Sequence, residues 1–270
     1  MDEKAEIVVQ PVILAAGKGQ RIINEAMAAG LGELPKVLYP LNNRPLLDYV
    51  LDAVAAAATE LAGEMTLVKP IVVVGFMKDQ VTAHVGDRAT FVEQLPSPLG
   101  TGHAVMVTEE AIDPRATAVL VLNGDMPAWK PSSIAQLCRK FVADRPSIAL
   151  GTVDFTDSHY TADFFAYGRM VRDESGRLLR IREQRDASDE ERQISECNPS
   201  LYCFDRTWLF PALHRLKNNN SQAEYYLTDL LEMALAEKHV VETEPCQDWR
   251  EALGVNTLDQ LKLAEELLNT

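Results

Sequence analysis

The sequence has no excess of positive charge. Its 40 acidic and 26 basic side chains leave a formal charge of −14, and a surface of that sign repels phosphate backbones and anionic membranes. This charge argues against general nucleic-acid or anionic-membrane binding, but not against a small anion held by a local cluster of cations. No apolar run approaches membrane-spanning length, and the polar start Met1-Asp2-Glu3-Lys4 carries no leader pattern. Cysteine is scarce: Cys138, Cys197, Cys203 and Cys246 show no Cys-x-x-Cys spacing and no nearby histidine pattern. Reduced thiols in a cytoplasmic protein are the expectation. Repeats, low-complexity tails and Gly/Ser-rich spacers are also missing. A chain of 270 residues without a spacer is expected to form one domain, 1–270, with a substantial core.

What is present is an alternation of strand-like and helix-like segments through residues 1–150. It predicts an α/β fold, Rossmann-like, with a mixed, mostly parallel sheet flanked by helices. Predicted strands are Ile7–Leu14, Val37–Leu41, Ile71–Val74, Thr90–Glu93 and Ala118–Leu122. Pro11 is awkward for a central strand and marks a local irregularity. Helices are expected from Pro45 to about Leu61 and over Asp79–Val85, Gly102–Glu110 and Pro131–Val142. The stretch Ile22–Gly32 reads as a short helix or a mobile flap. Beyond Ile148 the chain becomes β-rich, so residues 151–270 form a smaller second half. Strands are expected there at Ile148–Phe155, Gly168–Arg172, Leu178–Glu183, Ser195–Phe204 and Val240–Glu244. The intervening helices are Asp186–Arg192, Asp205–Leu216, Leu227–Lys238 and Thr257–Leu268.

The first strand ends in Leu14-Ala15-Ala16-Gly17-Lys18-Gly19-Gln20-Arg21, and Leu34-Pro35-Lys36 follows. Small residues let a ligand approach the backbone, and successive free N–H groups form an anion-binding concavity. Lys18, Arg21 and Lys36 add charge where phosphates would sit, although Lys36 also reads as a surface lysine after a turn. A dinucleotide fingerprint is excluded because Ile22 occupies the place of its third glycine. A P-loop is excluded because Gly19 follows Lys18 and Val12 stands where its first glycine belongs. In open α/β sheets ligands sit beyond the carboxyl ends of the strands, where two further loops fall. Leu99-Gly100-Thr101-Gly102-His103 offers either N–H groups for a ligand or a helix capped by Thr101. His103 reads as structural rather than as a catalytic base. Asn123-Gly124-Asp125-Met126-Pro127 places a carboxylate past a buried strand, as a cation ligand or a turn former. Asn256 supplies either a second oxygen ligand or the lead into a helix cap.

Taken in order, these motifs resemble those of the sugar-1-phosphate nucleotidyltransferases, in particular the uridyltransferase half of bacterial bifunctional N-acetylglucosamine-1-phosphate uridyltransferase. The glycine loop, Pro35-Lys36, Leu99–Ala104 and Gly124–Pro127 carry the resemblance. Tyr167-Gly168-Arg169, Glu183–Ala187, Glu196-Cys197-Asn198, Asn218–Asp229 and Gly254-Val255-Asn256 extend it through nearly the whole chain. The resemblance implies that Leu14, Ala15, Ala16, Gly17, Gln94, Gly100 and Thr101 hold the uracil of UTP, and that Arg21 and Lys36 neutralise phosphates. It implies Mg²⁺ on Asp125 and Asn256, and a sugar-1-phosphate against Gly168, Glu183 and Asn198 in the β-rich half. Without it, Glu183 and Asn198 would read as polar strand residues.

The chain also departs from that pattern. Gln20 replaces a small hydroxyl residue, Ile22–Glu33 is longer than usual, and a proline-bearing insertion separates Gln94 from Gly100. Asn123 stands where tyrosine is common, Pro199-Ser200 replaces Thr-Gly, and residues 1–270 contain no hexapeptide repeats of the family's β-helix. The expected activity is formation of a UDP-sugar, UDP-N-acetylglucosamine foremost, with release of pyrophosphate. The rivals are the same chemistry on another sugar-1-phosphate or with dTTP, and a non-catalytic nucleotide-sugar-binding regulatory module.

Overall fold

The computed structural model describes residues 6–96, 98–156, 158, 166–246 and 248–268; the polar start at Met1–Lys4 lies outside them. In chain order the strands of the first half are β1 (Val8–Leu14), β2 (Pro40–Leu41), β3 (Arg44–Pro45), β4 (Thr66–Leu67), β5 (Ile71–Val74), β6 (Thr90–Glu93) and β7 (Ala118–Asn123). Those of the second half are β8 (Ile148–Asp154), β9 (Gly168–Arg172), β10 (Leu178–Arg182), β11 (Glu196–Asn198), β12 (Tyr202–Asp205) and β13 (Val241–Pro245). One mixed sheet runs β10-β9-β11-β8-β12-β7-β1-β5-β6, with β13 also on β8 and β4 on β1. The strands β7, β1, β5 and β6 are mutually parallel, whereas β12 joins β7 antiparallel.

Burial on both faces follows from the apolar runs. Every residue of Ile71–Val74 is buried, as befits a parallel strand covered on two sides. Helices Leu46–Glu60 and Pro131–Asp144 cover one face, where Leu47, Val50, Val54, Ile134 and Leu137 join the core. Helices Thr101–Met106, Arg206–Leu213 and Asp229–Ala236 cover the other, through Val105, Leu209 and Leu230 among others. Among the described residues no helix is long and apolar enough to cross a membrane.

Pro11 lies inside β1 without breaking it. Odd-numbered residues of β1 turn their backbone groups toward β4 and β5, as the bonds from Val68 N–H to Val9 and from Ala15 N–H to Val73 show. The missing N–H of Pro11 therefore faces the gap between those two short strands. Gln10 fills that gap by donating from Nε2 to the Lys69 carbonyl at 2.8 Å.

Of the two readings of Ile22–Gly32 the helix holds, and two further expectations need correction. The stretch Ile22–Gly32 contributes to a helix, Gln20–Ala28, whose Ile22, Ile23 and Ala26 are buried with Leu261 and Ala264 of the closing helix Leu258–Leu268. Val37 and Leu38 are not extended: Lys36–Leu38 is a 3₁₀ turn opened by Pro35, and only Pro40–Leu41 forms a strand. Ser195–Phe204 is two strands, because Pro199 offers no N–H and Ser200 takes a left-handed φ of 64°. The break moves the chain from the β9/β8 ladder to the place between β8 and β7.

Candidate active site

The carboxyl ends of β1, β5, β6 and β7 open on one edge of the sheet, and a cavity of about 410 Å³ lies there. All of Leu14, Ala15, Ala16, Gly17, Arg21, Lys36, Gln94, Gly100, Thr101, Asp125, Gly168, Glu183, Asn198 and Asn256 line it. Residues up to 242 positions apart in sequence are thus brought to one place.

The glycine loop forms one wall. No described residue accepts from the backbone N–H of Gly17 or Lys18, so these donors are open to a ligand. Gly19 has φ 66°, and a Cβ there would come within 2.7 Å of Lys36 Cβ. Only glycine therefore lets the Lys36 stem lie across the loop. Arg21 follows at the start of helix Gln20–Ala28, exposed and without an ion-pair partner among the described residues. Lys18 does not belong to the cavity: its Nζ lies 5.4 Å from the ring centroid of Phe76, a cation–π contact.

Gln94, only 4% exposed, forms the back of this wall. Its Nε2 donates to the Gly100 carbonyl (3.1 Å) and lies 3.0 Å from His103 Nδ1. Thr101 does not cap the helix it begins. That position belongs to Gly100 (φ 100°), and the Thr101 hydroxyl instead accepts from Leu227 N–H at 3.1 Å. Tyr225 adds a reciprocal clamp, accepting from Gly102 N–H and donating to the Leu99 carbonyl, both at 2.8 Å. The asparagine-rich segment is thereby fastened over the Gly100–Gly102 loop.

At the centre the Lys36 ammonium group donates to the Asp125 carboxylate and, at 2.9 Å, to Asn256 Oδ1. Three stretches distant in sequence meet here for identifiable reasons. Gly124 N–H donates to the Leu14 carbonyl (2.9 Å), which sets Asp125 beside the glycine loop. Val255 N–H donates to the Asp125 carbonyl (3.0 Å), which brings in Asn256. The cap of the closing helix is Thr257, whose hydroxyl accepts from Gln260 N–H at 3.2 Å. Asn256 is thus left to point its amide oxygen at Lys36. A carboxylate and an amide oxygen converge on a point already held by positive charge. Such hard oxygen donors fit Mg²⁺, which prefers one or two protein ligands completed by phosphates and water. Among the described residues no group of three or more His, Cys, Asp or Glu is placed to hold a metal ion.

The second half forms the opposite wall. Asn198, buried at the end of β11, donates from Nδ2 to the Tyr202 hydroxyl (2.6 Å) and accepts from Ser200 N–H (3.1 Å). One amide N–H of Asn198 stays available. The Thr228 hydroxyl donates to Glu183 Oε1 at 2.8 Å. Burial raises the Glu183 carboxyl above its ordinary value; the Thr228 bond opposes this, and Asp229, Asp186 and Glu224 add to it. Gly168 lies beside Glu183, at the start of β9.

Several cavity residues escaped the sequence reading. Tyr202 presents as an aromatic residue of an apolar strand, yet its buried hydroxyl holds Asn198. Tyr167 donates its hydroxyl to the Ala252 carbonyl, and its ionisation is suppressed by burial and then by the Asp125 charge. Arg185 donates to Gln222 at 2.5 Å, linking the two segments that border the second wall. The signal for Tyr167, Arg185 and Gln222 lay in motifs already noted; Tyr202 left none.

Comparison with known proteins places these features in company. Residues 11–232 match the MobA-like NTP transferase domain. The bifunctional protein GlmU of Desulfotalea psychrophila is 35% identical over 98% of this chain and 72% of its own length. GlmU of Enterococcus faecalis is 34% identical over 96% of this chain, and there the chain spans about half of the relative's length (51%). Among solved structures, UDP-glucose pyrophosphorylase complexed with UDP-glucose superposes with a TM-score of 0.71 at 16% identity, covering 97% of this chain and 99% of that one. The apo form of a UDP-glucose pyrophosphorylase gives 0.70 at 14%, covering 97% and 98%. At those identities the likeness is one of fold.

Proposed function

The chain belongs to the MobA-like NTP transferase family, and from that membership we propose that it is a sugar-1-phosphate uridylyltransferase. It would form a UDP-sugar, UDP-N-acetylglucosamine foremost, and pyrophosphate from UTP and a sugar-1-phosphate. One observation carries the reading: Lys36, Asp125 and Asn256 meet between the glycine-loop wall and the Glu183–Asn198 wall.

In this reading Leu14–Gly17, Gln94, Gly100 and Thr101 hold the uracil, and Gly168, Glu183 and Asn198 hold the sugar. A phosphate oxygen of the sugar-1-phosphate attacks the α-phosphorus of UTP in line. The new P–O bond forms as the α–β bridging bond breaks, and pyrophosphate leaves with that electron pair. No protein nucleophile is required; positioning and charge neutralisation supply the rate. Arg21, unpaired among the described residues, and Lys36, released from Asp125 and Asn256, neutralise the phosphate oxygens. Asp125 and Asn256 would hold Mg²⁺, which when bound supplies further neutralisation of that charge.

Two altered positions bear on the acceptor. Asn123 and Ser200 both line the cavity, and a small pocket change shifts selectivity by about 1–3 kcal/mol. That magnitude relaxes discrimination between hexose-1-phosphates without replacing the preferred one. The test is pyrophosphate release from UTP with a panel of sugar-1-phosphates. Release with N-acetylglucosamine-1-phosphate above all others is expected, and no release with any member would overturn the proposal.

A further inference from the structure

We propose that His103 is a positioning residue that orients the Gln94 side-chain amide and thereby selects which nucleobase the cavity accepts. The inference rests on the reading of the cavity as a nucleotide site and concerns a residue given no role there.

The orientation of Gln94 follows from its neighbours. A backbone carbonyl can only accept, so the atom 3.1 Å from the Gly100 oxygen must be the amide nitrogen. The same nitrogen lies 3.0 Å from His103 Nδ1. With its first proton given to Gly100, it offers the second to the ring, and Nδ1 must be the unprotonated nitrogen. His103 is therefore neutral, with its proton on Nε2. Burial lowers its basicity in the same sense.

Both amide protons are now committed, and only Oε1 remains. No described residue donates to it, and Gln94 lines the cavity beside Ala15, Ala16 and Gly17. The wall thus offers an acceptor and no amide donor at this point. A base edge carrying a ring N–H, such as the imide of uracil or thymine, complements it. Cytosine presents a bare ring nitrogen there, and lone pair would face lone pair. Gly100 alone fixes one end of the amide; His103 fixes its plane. The ring is held for that task in the first turn of helix Thr101–Met106, with Tyr225 beside it at a centroid distance of 6.4 Å.

The experiment compares dissociation constants of UTP and CTP, by calorimetry, for the native chain, His103→Leu and His103→Asn. Leucine fills the space without an acceptor, whereas asparagine can return an oxygen near the position of Nδ1. The native chain is expected to favour UTP. His103→Leu should weaken UTP by roughly tenfold, the worth of about one hydrogen bond, with CTP unchanged, and His103→Asn should restore most of the preference. A UTP/CTP ratio that stays native in His103→Leu, or an equal loss for both nucleotides, would overturn the proposal. So would a His103→Asn variant as impaired as leucine. A native chain that binds no uridine nucleotide would instead overturn the reading of the cavity, and this inference with it.

Discussion

Replacing Lys36 by methionine separates two contributions of one ammonium group. Its side chain is 17% exposed and that of its partner Asp125 12%, so the pair is largely but not wholly removed from water. Breaking a fully buried pair from one side costs roughly 3–5 kcal/mol. Here the cavity admits solvent to the orphaned carboxylate, and the loss should be about 1–2 kcal/mol, a fall in Tm of about 2–8 °C. The effect on turnover is of different size. One charge-assisted contact to a transferring phosphate contributes about 2–4 kcal/mol to the transition state. At that magnitude kcat falls by about 30- to 800-fold. A second substitution distinguishes the two. In the Lys36→Met, Asp125→Asn double variant no uncompensated carboxylate remains, so Tm should recover while kcat stays low. Thermal unfolding and steady-state pyrophosphate release measure both quantities on the same preparations. A single variant with native kcat/KM and native Tm would show that the ammonium group neither neutralises phosphate nor balances Asp125.

Excess EDTA should abolish turnover, and Asp125→Asn should remove most of it at saturating Mg²⁺; full activity in EDTA would refute the assignment of Asp125 and Asn256 as metal ligands. The raised Glu183 carboxyl binds its proton more readily folded than unfolded, so its contribution to stability falls as pH rises through the folded value. Glu183→Gln should therefore raise Tm at neutral pH while weakening sugar-1-phosphate affinity, and a lower Tm at neutral pH would contradict this. N-acetylglucosamine-1-phosphate should exceed glucose-1-phosphate in kcat/KM at saturating UTP. Asn198→Ala should erode the difference, and Tyr202→Phe, which removes the hydroxyl accepting from Asn198, should erode it in part; a glucose-1-phosphate preference unchanged in Asn198→Ala would show that these contacts do not operate.

Much of the architecture could be read from periodicity. Uninterrupted β-branched runs such as Ile71–Val74 leave little alternative to a buried strand, and strands Thr90–Glu93 and Gly168–Arg172 have the predicted bounds. Departures occurred where one residue overrides a pattern. Pro199 and Ser200 split an apolar run into two strands, and Pro35 turns the chain at Lys36. The placement of Asn256 beside Asp125 depends on a bond between two backbone groups, which no side-chain pattern announces. Lys18 shows the converse limit. Its position in the loop suggested a phosphate contact, but the ring of Phe76, distant in sequence, offers the cation a different resting place. Thr101 resembles a helix cap in local sequence, yet its hydroxyl serves Leu227, 126 residues away.

The continuous sheet has a metrical consequence. From β1, which bears the glycine loop, to β11, which bears Asn198, the order passes through β7, β12 and β8. Four interstrand steps at about 4.8 Å each set these strands on the order of 19 Å apart. The backbone ladder therefore works as a gauge, and replacements that leave its N–H and C=O bonds in place do not shift its graduations. Substitutions on β9, β10 and β11 can retune what is grasped at the far end, while the span to the glycine loop stays constant. Under the proposed reaction, acceptor preference can thus be altered at the far wall separately from the alignment required for in-line attack.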